Sequence, residues 1–298
     1  MTAAGTATAT AAPARRPGAR SAWIGDRLVP IFTAIAIMYL LLPILVMIAF
    51  SFNDPPGKFN FVWGQFSLAA WAKPFAAIGL QKALGNSLLI AFSATFVATI
   101  LGTLIALALT RYDFRGRGAV NGLIFVPMAT PEIVMGASLL TLFVGTAFDP
   151  WKTATGGVFF PLGLRTIFVA HVMFNISYVI VTVRARLAGF DRRLEEAAMD
   201  LGANGWTTFW KVTFPIIFPG IMAAALLAFS LSIDDFIITN FTSGIENTFP
   251  IWIWASIRNN LPPQIHVIGT AIFLSAIGLV TVSTWFQNRS ARTASAGR

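Results

Sequence analysis

The sequence predicts an all-α membrane protein with six bilayer-crossing helices and both termini on the cytoplasmic side. Three observations carry that expectation. Of 298 residues, 56% are hydrophobic and only 11% are charged, with a mean hydropathy of +0.73. A soluble domain of this size could not hide so much apolar surface behind so little charge. The apolar residues also fall in continuous runs near the ~20 residues that a helix needs to span a bilayer, rather than in the alternation of a β-barrel strand. Helices suit that solvent because each segment pairs its own backbone groups. Third, fifteen of the 21 Lys and Arg gather at one set of segment ends, which the positive-inside rule assigns to the cytoplasm.

Taken in order, the chain opens on a basic arm, residues 1–27. Residues 1–22 are rich in Ala, Thr, Pro and Arg and are expected to be disordered. Arg15, Arg16, Arg20 and Arg27 precede the first span, 28–50. That run is too long for a signal-peptide core and no small-residue cleavage pattern follows it, so it reads as uncleaved. The outer loop 51–84 begins with the turn signal Asn53-Asp54-Pro55-Pro56-Gly57 and continues through Trp63, Phe66 and Trp71, which suit the membrane interface. The second span is 85–109, followed by a cytoplasmic loop with Arg111, Arg115 and Arg117. The third, 120–146, contains Pro127 and Pro131 and is expected to be a bent helix lining a pathway. An outer loop, 147–163, opens on Asp149-Pro150-Trp151.

The fourth span, 165–183, is the weakest, with His171 and Asn175 inside it. His171 and His266 both sit in apolar segments and read as structural. Loop 184–214 is cytoplasmic, with Arg184, Arg186, Arg192, Arg193 and Lys211. The fifth span, 216–241, carries Asp234 and Asp235. In the outer loop 242–264, Trp252 and Trp254 read as interfacial anchors. The sixth span, 265–286, leads into a cytoplasmic tail, 287–298, with Arg289, Arg292 and Arg298. The organisation is therefore an arm, a six-helix domain over 28–286, and a tail.

Several chemistries are excluded. With no cysteine there is no disulfide framework, thiolate metal site or catalytic thiol. No phosphate-binding glycine loop, H-E-x-x-H or nucleophile elbow occurs, and no His, Asp and Glu cluster in sequence. The net charge of +9 follows the topology of the segments rather than marking a nucleic-acid surface.

The loop 184–214 is the most informative stretch. Asp191 can cap a helix through Leu194, Glu195, Glu196, Ala197, Ala198 and Leu201, with acids in the first turns where the helix end is positive. Gly202 can end it, and a second short helix through Trp206, Phe209 and Trp210 can lie on the membrane. Pro215 then suits the first turn of the fifth span. On physics alone the loop is either an ordinary amphipathic connection or a helix–turn–helix able to receive force from a soluble partner.

Glu196-Ala197-Ala198, three residues, Gly202, then Val212, Phe214 and Pro215 resembles the signature of binding-protein-dependent ABC importer permeases: E-A-A, three residues, G, nine residues, I-x-L-P. Val for Ile and Phe for Leu depart mildly at apolar positions. The resemblance covers nearly the whole chain from residue 28. It implies a type I ABC importer permease fold in the plasma (inner) membrane of a bacterium. The loop would then be a coupling helix seated on a separate ATPase subunit, with Glu195, Glu196, Ala197, Ala198, Asp200, Gly202 and Pro215 serving that contact. Glu196 would make the polar contact and Gly202 the turn. The implied partners are a homologous permease, two ATP-binding subunits and an extracytoplasmic binding protein. ATP and Mg would be held by the ATPase subunits; this chain would bind no cofactor and hydrolyse nothing.

Ser51-Phe52-Asn53, Pro131-Glu132-Ile133-Val134-Met135-Gly136 and Leu231-Ser232-Ile233-Asp234-Asp235-Phe236 resemble one branch, the spermidine/putrescine permeases, in particular their C-type subunit. Permeases for ferric iron or aminophosphonates share parts of these stretches, and a sugar permease fits the acid pair less well. Independently, Glu132, Asp234 and Asp235 are the acids placed within spans. A charge at the bilayer centre costs about 2.5–3.5 kcal/mol on insertion scales, so it should face a cavity or partner. Carboxylates without a lysine among them suit a cationic cargo. The alternative is that the aspartates bond helix termini or a partner subunit. A proton-coupled carrier with the acids as a relay, and a membrane scaffold without transport activity, are the rivals from other classes.

Overall fold

The computed structural model describes residues 19–145, 161–278 and 281. The Asp149-Pro150-Trp151 turn, the arginines of the tail and the arm before residue 19 lie outside the described residues.

Helix α1 runs Ala19–Phe50. It begins ahead of the apolar run and so enters the arm expected to be disordered. No proline stands between Gly18 and Val29, and extending an existing helix costs less than nucleating one. Its apolar part, Leu28–Phe50, faces outward on every side; Phe32 and Tyr39 are 74% and 77% exposed.

The loop after α1 is folded. Strand β1 (Asn53–Asp54) pairs antiparallel with β2 (Gln65–Phe66), and a turn of helix, α2 (Ala69–Ala72), follows. Buried Asn53 donates to Asn60 Oδ1 at 2.6 Å and to the Val62 carbonyl at 2.8 Å. The Phe52 ring stacks on Phe66 and Trp71, with Trp71 Nε1 donating to Ser51 Oγ at 3.2 Å. Trp71 is thus a packing residue of this cap.

Helix α3 (Leu80–Arg111) outruns the expected 85–109 at both ends. The third span is not one helix. Helix α4 (Arg117–Ala129) stops and α5 (Glu132–Val144) restarts at a bend of 106°. Proline 131 supplies the reason: it lacks an N–H, and it pushes Thr130 to extended backbone, φ −78° and ψ 130°. Helix α6 spans Leu164–Ala188. After α6 come α7 (Arg193–Asp200), α8 (Gly205–Thr208) and a π-helical turn, Phe209–Thr213, that runs into α9 (Phe214–Asp234). The fifth span is also broken: α9 ends at Asp234, and α10 (Ile237–Thr242) restarts beyond Asp235. Helix α11 (Phe249–Asn259) follows, and α12 covers Gln264–Gly278 among the described residues.

Among the described residues, four stretches are long and apolar enough to cross a membrane: Leu28–Phe50, Leu80–Arg111, Leu164–Ala188 and Gly205–Asp234. The bent pair α4–α5 makes a fifth if it is one span, and α12 is apolar but shorter.

The core lies where α3, α6 and α9 pack together, around Ala106, Leu109, Val179, Val183, Ile217, Ala224 and Ala228. Small residues allow the backbones to approach closely, as helix association in lipid requires. A Cβ on Gly102 would lie 2.6 Å from Val179 Cγ1. A second cluster joins α5, α6 and α10 through Met135, Leu139, Phe174 and Ile238. Asn175, which weakened the hydropathy of the fourth span, is fully buried with no partner for its amide among the described residues.

Candidate functional site

The two helix breaks face each other across one cavity of about 710 Å³. Thr130, Pro131 and Glu132 come from the α4–α5 bend; Asp234, Asp235 and Phe236 come from the α9–α10 break; Phe174 and Tyr178 come from α6. Glu132 thus shares one cavity with Asp234 and Asp235, far along the chain, and no Lys or Arg among the described residues lines it. Helices can be broken within a bilayer where their free backbone groups line a cavity rather than lipid.

The three acids are not equivalent. Asp235 lines the wall, but its carboxylate turns inward, with the side chain 6% exposed. It accepts from the Thr239 N–H at 2.7 Å, the Thr239 hydroxyl at 2.6 Å and the Ile238 N–H at 3.4 Å, so it caps α10. His171 Nε2 lies 3.3 Å away, while His171 Nδ1 is 2.6 Å from Ser232 Oγ and Nε2 is 2.9 Å from Thr239 Oγ1. A fully buried histidine on α6 therefore holds both sides of the break. The carboxylates of Asp234 and Glu132 have no ion pair or hydrogen bond with another residue among those described, and both residues are exposed. Glu132 also sits in the first turn of α5, at the positive end of that helix.

In the loop between α6 and α9, Asp191 Oδ1 accepts the Arg193 N–H at 3.0 Å at the start of α7. Gly202 has φ +89°, the left-handed backbone that ends such a helix. Asn204 Oδ1 then caps α8 by accepting from Thr207 N at 2.8 Å. Glu196, Ala197, Asp200 and Gly202 are exposed, beside Leu201 at 90% and Trp206 at 72%. Pro215 stands in the first turn of α9. Glu195 differs from its neighbour. Its carboxylate is 14% exposed and accepts from Arg111, at the end of α3, and from the Thr213 hydroxyl.

Sequence reading missed Ser232, Thr239, Arg111 and Thr213. The first two carried a signal: they stand three residues before and four after Asp235, the spacing at which side chains meet on one helix face. The last two carried none, because their contacts join segments far apart in the chain.

Residues 98–295 match the family described as binding-protein-dependent transport system inner membrane component. The chain is 35% identical over 253 residues to the spermidine/putrescine transport system permease protein PotC of Haemophilus influenzae, covering 85% of this chain and 93% of that one. It is 37% identical over 272 residues to the putrescine transport system permease protein PotI of Escherichia coli, covering 91% and 92%. A solved structure of a bacterial alginate ABC transporter, in complex with an alginate pentasaccharide-bound periplasmic protein, superposes with a TM-score of 0.64 at 16% identity, covering 89% of this chain and 93% of that one. At that identity the likeness is one of fold.

Proposed function

The chain belongs to the family of binding-protein-dependent inner-membrane components, the multi-pass permease rather than the ATPase of a bacterial ABC importer, and from that premise we propose that its cargo is a polyamine of the spermidine/putrescine class. The observation that carries the proposal is the cavity itself. Among the described residues, the carboxylates of Glu132 and Asp234 have no partner, and the space they face is lined by no basic residue. Two anions facing one cavity favour a ligand that carries more than one cation. A polyamine has such ammonium groups. Tyr178 and Phe236 add aromatic faces on which an ammonium can rest. The relatives named for putrescine and spermidine transport support the same class of cargo.

In this reading Glu132 and Asp234 pair with the passing ammonium groups, while Asp235 shapes the site from behind. A second permease closes the pathway, and an extracytoplasmic binding protein delivers the cargo. Two ATPase subunits hold ATP and Mg and seat on the exposed face of α7, through Glu196, Ala197, Ala198, Asp200 and the turn at Gly202. Their closure rocks the helices as rigid bodies. Six spans with both termini in the cytoplasm, the bent pair and the last helix each counting as one, complete the arrangement. Family membership sets aside the proton-coupled carrier and the scaffold.

Uptake of radiolabelled spermidine in cells with and without the gene tests the cargo. Unlabelled putrescine, ferric citrate, aminoethylphosphonate or a disaccharide is added in excess. Gene-dependent uptake blocked only by polyamines is the expected result. Block by one of the other competitors, or no gene-dependent uptake with the whole complex expressed, overturns it.

A further inference from the structure

Helix α7 is attached to the rest of the chain in an unusual way. None of its side chains is buried, so apolar packing does not hold it in place. Polar tethers do. Arg192, beside its first turn, donates from Nη2 to the Thr110 carbonyl at 2.7 Å, satisfying an acceptor left open at the end of α3. Glu195 accepts from the Arg111 guanidinium on the same helix end and from the Thr213 hydroxyl, one residue before α9. One carboxylate thus joins the cytoplasmic end of α3, the start of α9 and α7. The next residue, Glu196, points the other way, into solvent.

From this juxtaposition we infer that Glu195 is a positioning residue that transmits movement of α7 to α3 and α9, and is not itself a contact to the ATPase. The inference rests on the reading of α7 as the ATPase-docking helix. Helix α9 is 21 residues long, so one end meets Glu195 through Thr213 while the other carries Asp234 at the cavity. A stiff helix passes a push along its length, provided that the push reaches it. Arg111 and Thr213 supply that connection, and Arg111 directs the same push into α3, which packs along α6 and α9. With the carboxylate removed, α7 still has its exposed docking face but is held by its chain ends and by Arg192. ATPase motion would then be taken up as slack.

The test uses the whole complex, purified and reconstituted in vesicles, with Glu195→Ala, Glu195→Gln and Glu196→Ala variants of this chain. Co-purified ATPase, ATP hydrolysis and cargo translocated per ATP are measured for each. Glu195→Ala should keep the ATPase bound and hydrolysing while cargo per ATP falls at least about fivefold, the lower end of typical coupling between sites. A misfolded fraction would lower hydrolysis and transport together and leave their ratio unchanged. Because the chain has no cysteine, Arg111→Cys with Glu195→Cys can be joined by a short thiol-specific crosslinker, and the link should restore the ratio. Loss of bound ATPase in Glu195→Ala would make Glu195 a docking contact and overturn the inference, as would an unchanged ratio or failure of the crosslink to restore it. Failure of the unaltered chain to hold an ATPase would instead overturn the docking reading beneath it.

Discussion

His171 Nε2 lies 3.3 Å from Asp235 Oδ2, linking the middle of α6 to the break between α9 and α10. The contact explains how a helix can stop and restart inside a membrane protein without exposing its backbone. Asp235 accepts the free N–H groups at the start of α10, and His171 holds Ser232 before the break and Thr239 after it. It also separates the two adjacent aspartates by role, one turned into the fold and one left facing the cavity.

Asp235→Ala should therefore act on stability. Loss of the cap costs about 0.5–2 kcal/mol. Thermal unfolding of the purified protein in detergent should show a lower midpoint for Asp235→Ala and His171→Ala, and no change for Asp234→Asn. A midpoint lowered by Asp234→Asn as much as by Asp235→Ala would contradict the division of roles.

Asp234→Asn and Glu132→Gln should act on transport instead. A charge-assisted contact is worth about 1.5–3 kcal/mol, so each change should raise the KM for a polyamine about tenfold or more. The carboxamide keeps the shape, and the expressed amount should be unaltered. Initial uptake rates across a concentration series decide it; an unchanged KM in both variants removes these residues from the cargo path.

Gly102 is a packing requirement. A Cβ there would meet Val179 Cγ1 at 2.6 Å and Val179 Cβ at 2.7 Å, both in the buried core. Gly102→Ala should destabilise by about 1–3 kcal/mol through overpacking of α3 on α6. Pairing it with Val179→Ala should recover part of the loss, which a double-mutant cycle on thermal stability measures.

Glu246 predicts a pH dependence in the turn between α10 and α11. The hydrogen bond from Lys82 holds its carboxyl below the ordinary value of 4.5, with partial desolvation opposing and Asn86 assisting. Lys82 Nζ is 3.0 Å from Glu246 Oε2, and Asn86 also donates to the Asn247 carbonyl at 2.9 Å, so that turn is pinned to the start of α3. A depressed carboxyl contributes its stabilisation above the unfolded value and loses it as pH falls through the folded one. Protection factors against hydrogen exchange over 243–248 should be level above pH 5 and should fall below about 4.5. Glu246→Gln should be less protected at neutral pH and lose that fall; a Gln variant with the same profile refutes the pin.

The sequence by itself determined what depends on local composition. Apolar runs marked α1, α3, α6 and α9 as membrane helices, because transfer into lipid is set by the residues of each segment. The loop motif placed Asp191 at a helix start and Gly202 at a left-handed turn, since capping and turn chemistry act over a few residues. Tertiary structure alone decided which way side chains face. Lipid is as apolar as a membrane protein's core, so hydropathy does not separate Leu104, 57% exposed, from Leu109, 1% exposed, on the same helix. Glu195 and Glu196 look alike in sequence, yet only the position of Arg111, 84 residues away, turns the first inward. His171 likewise selects Asp235 over Asp234. Such choices depend on the rotation of one helix against another, which is fixed by packing between distant segments.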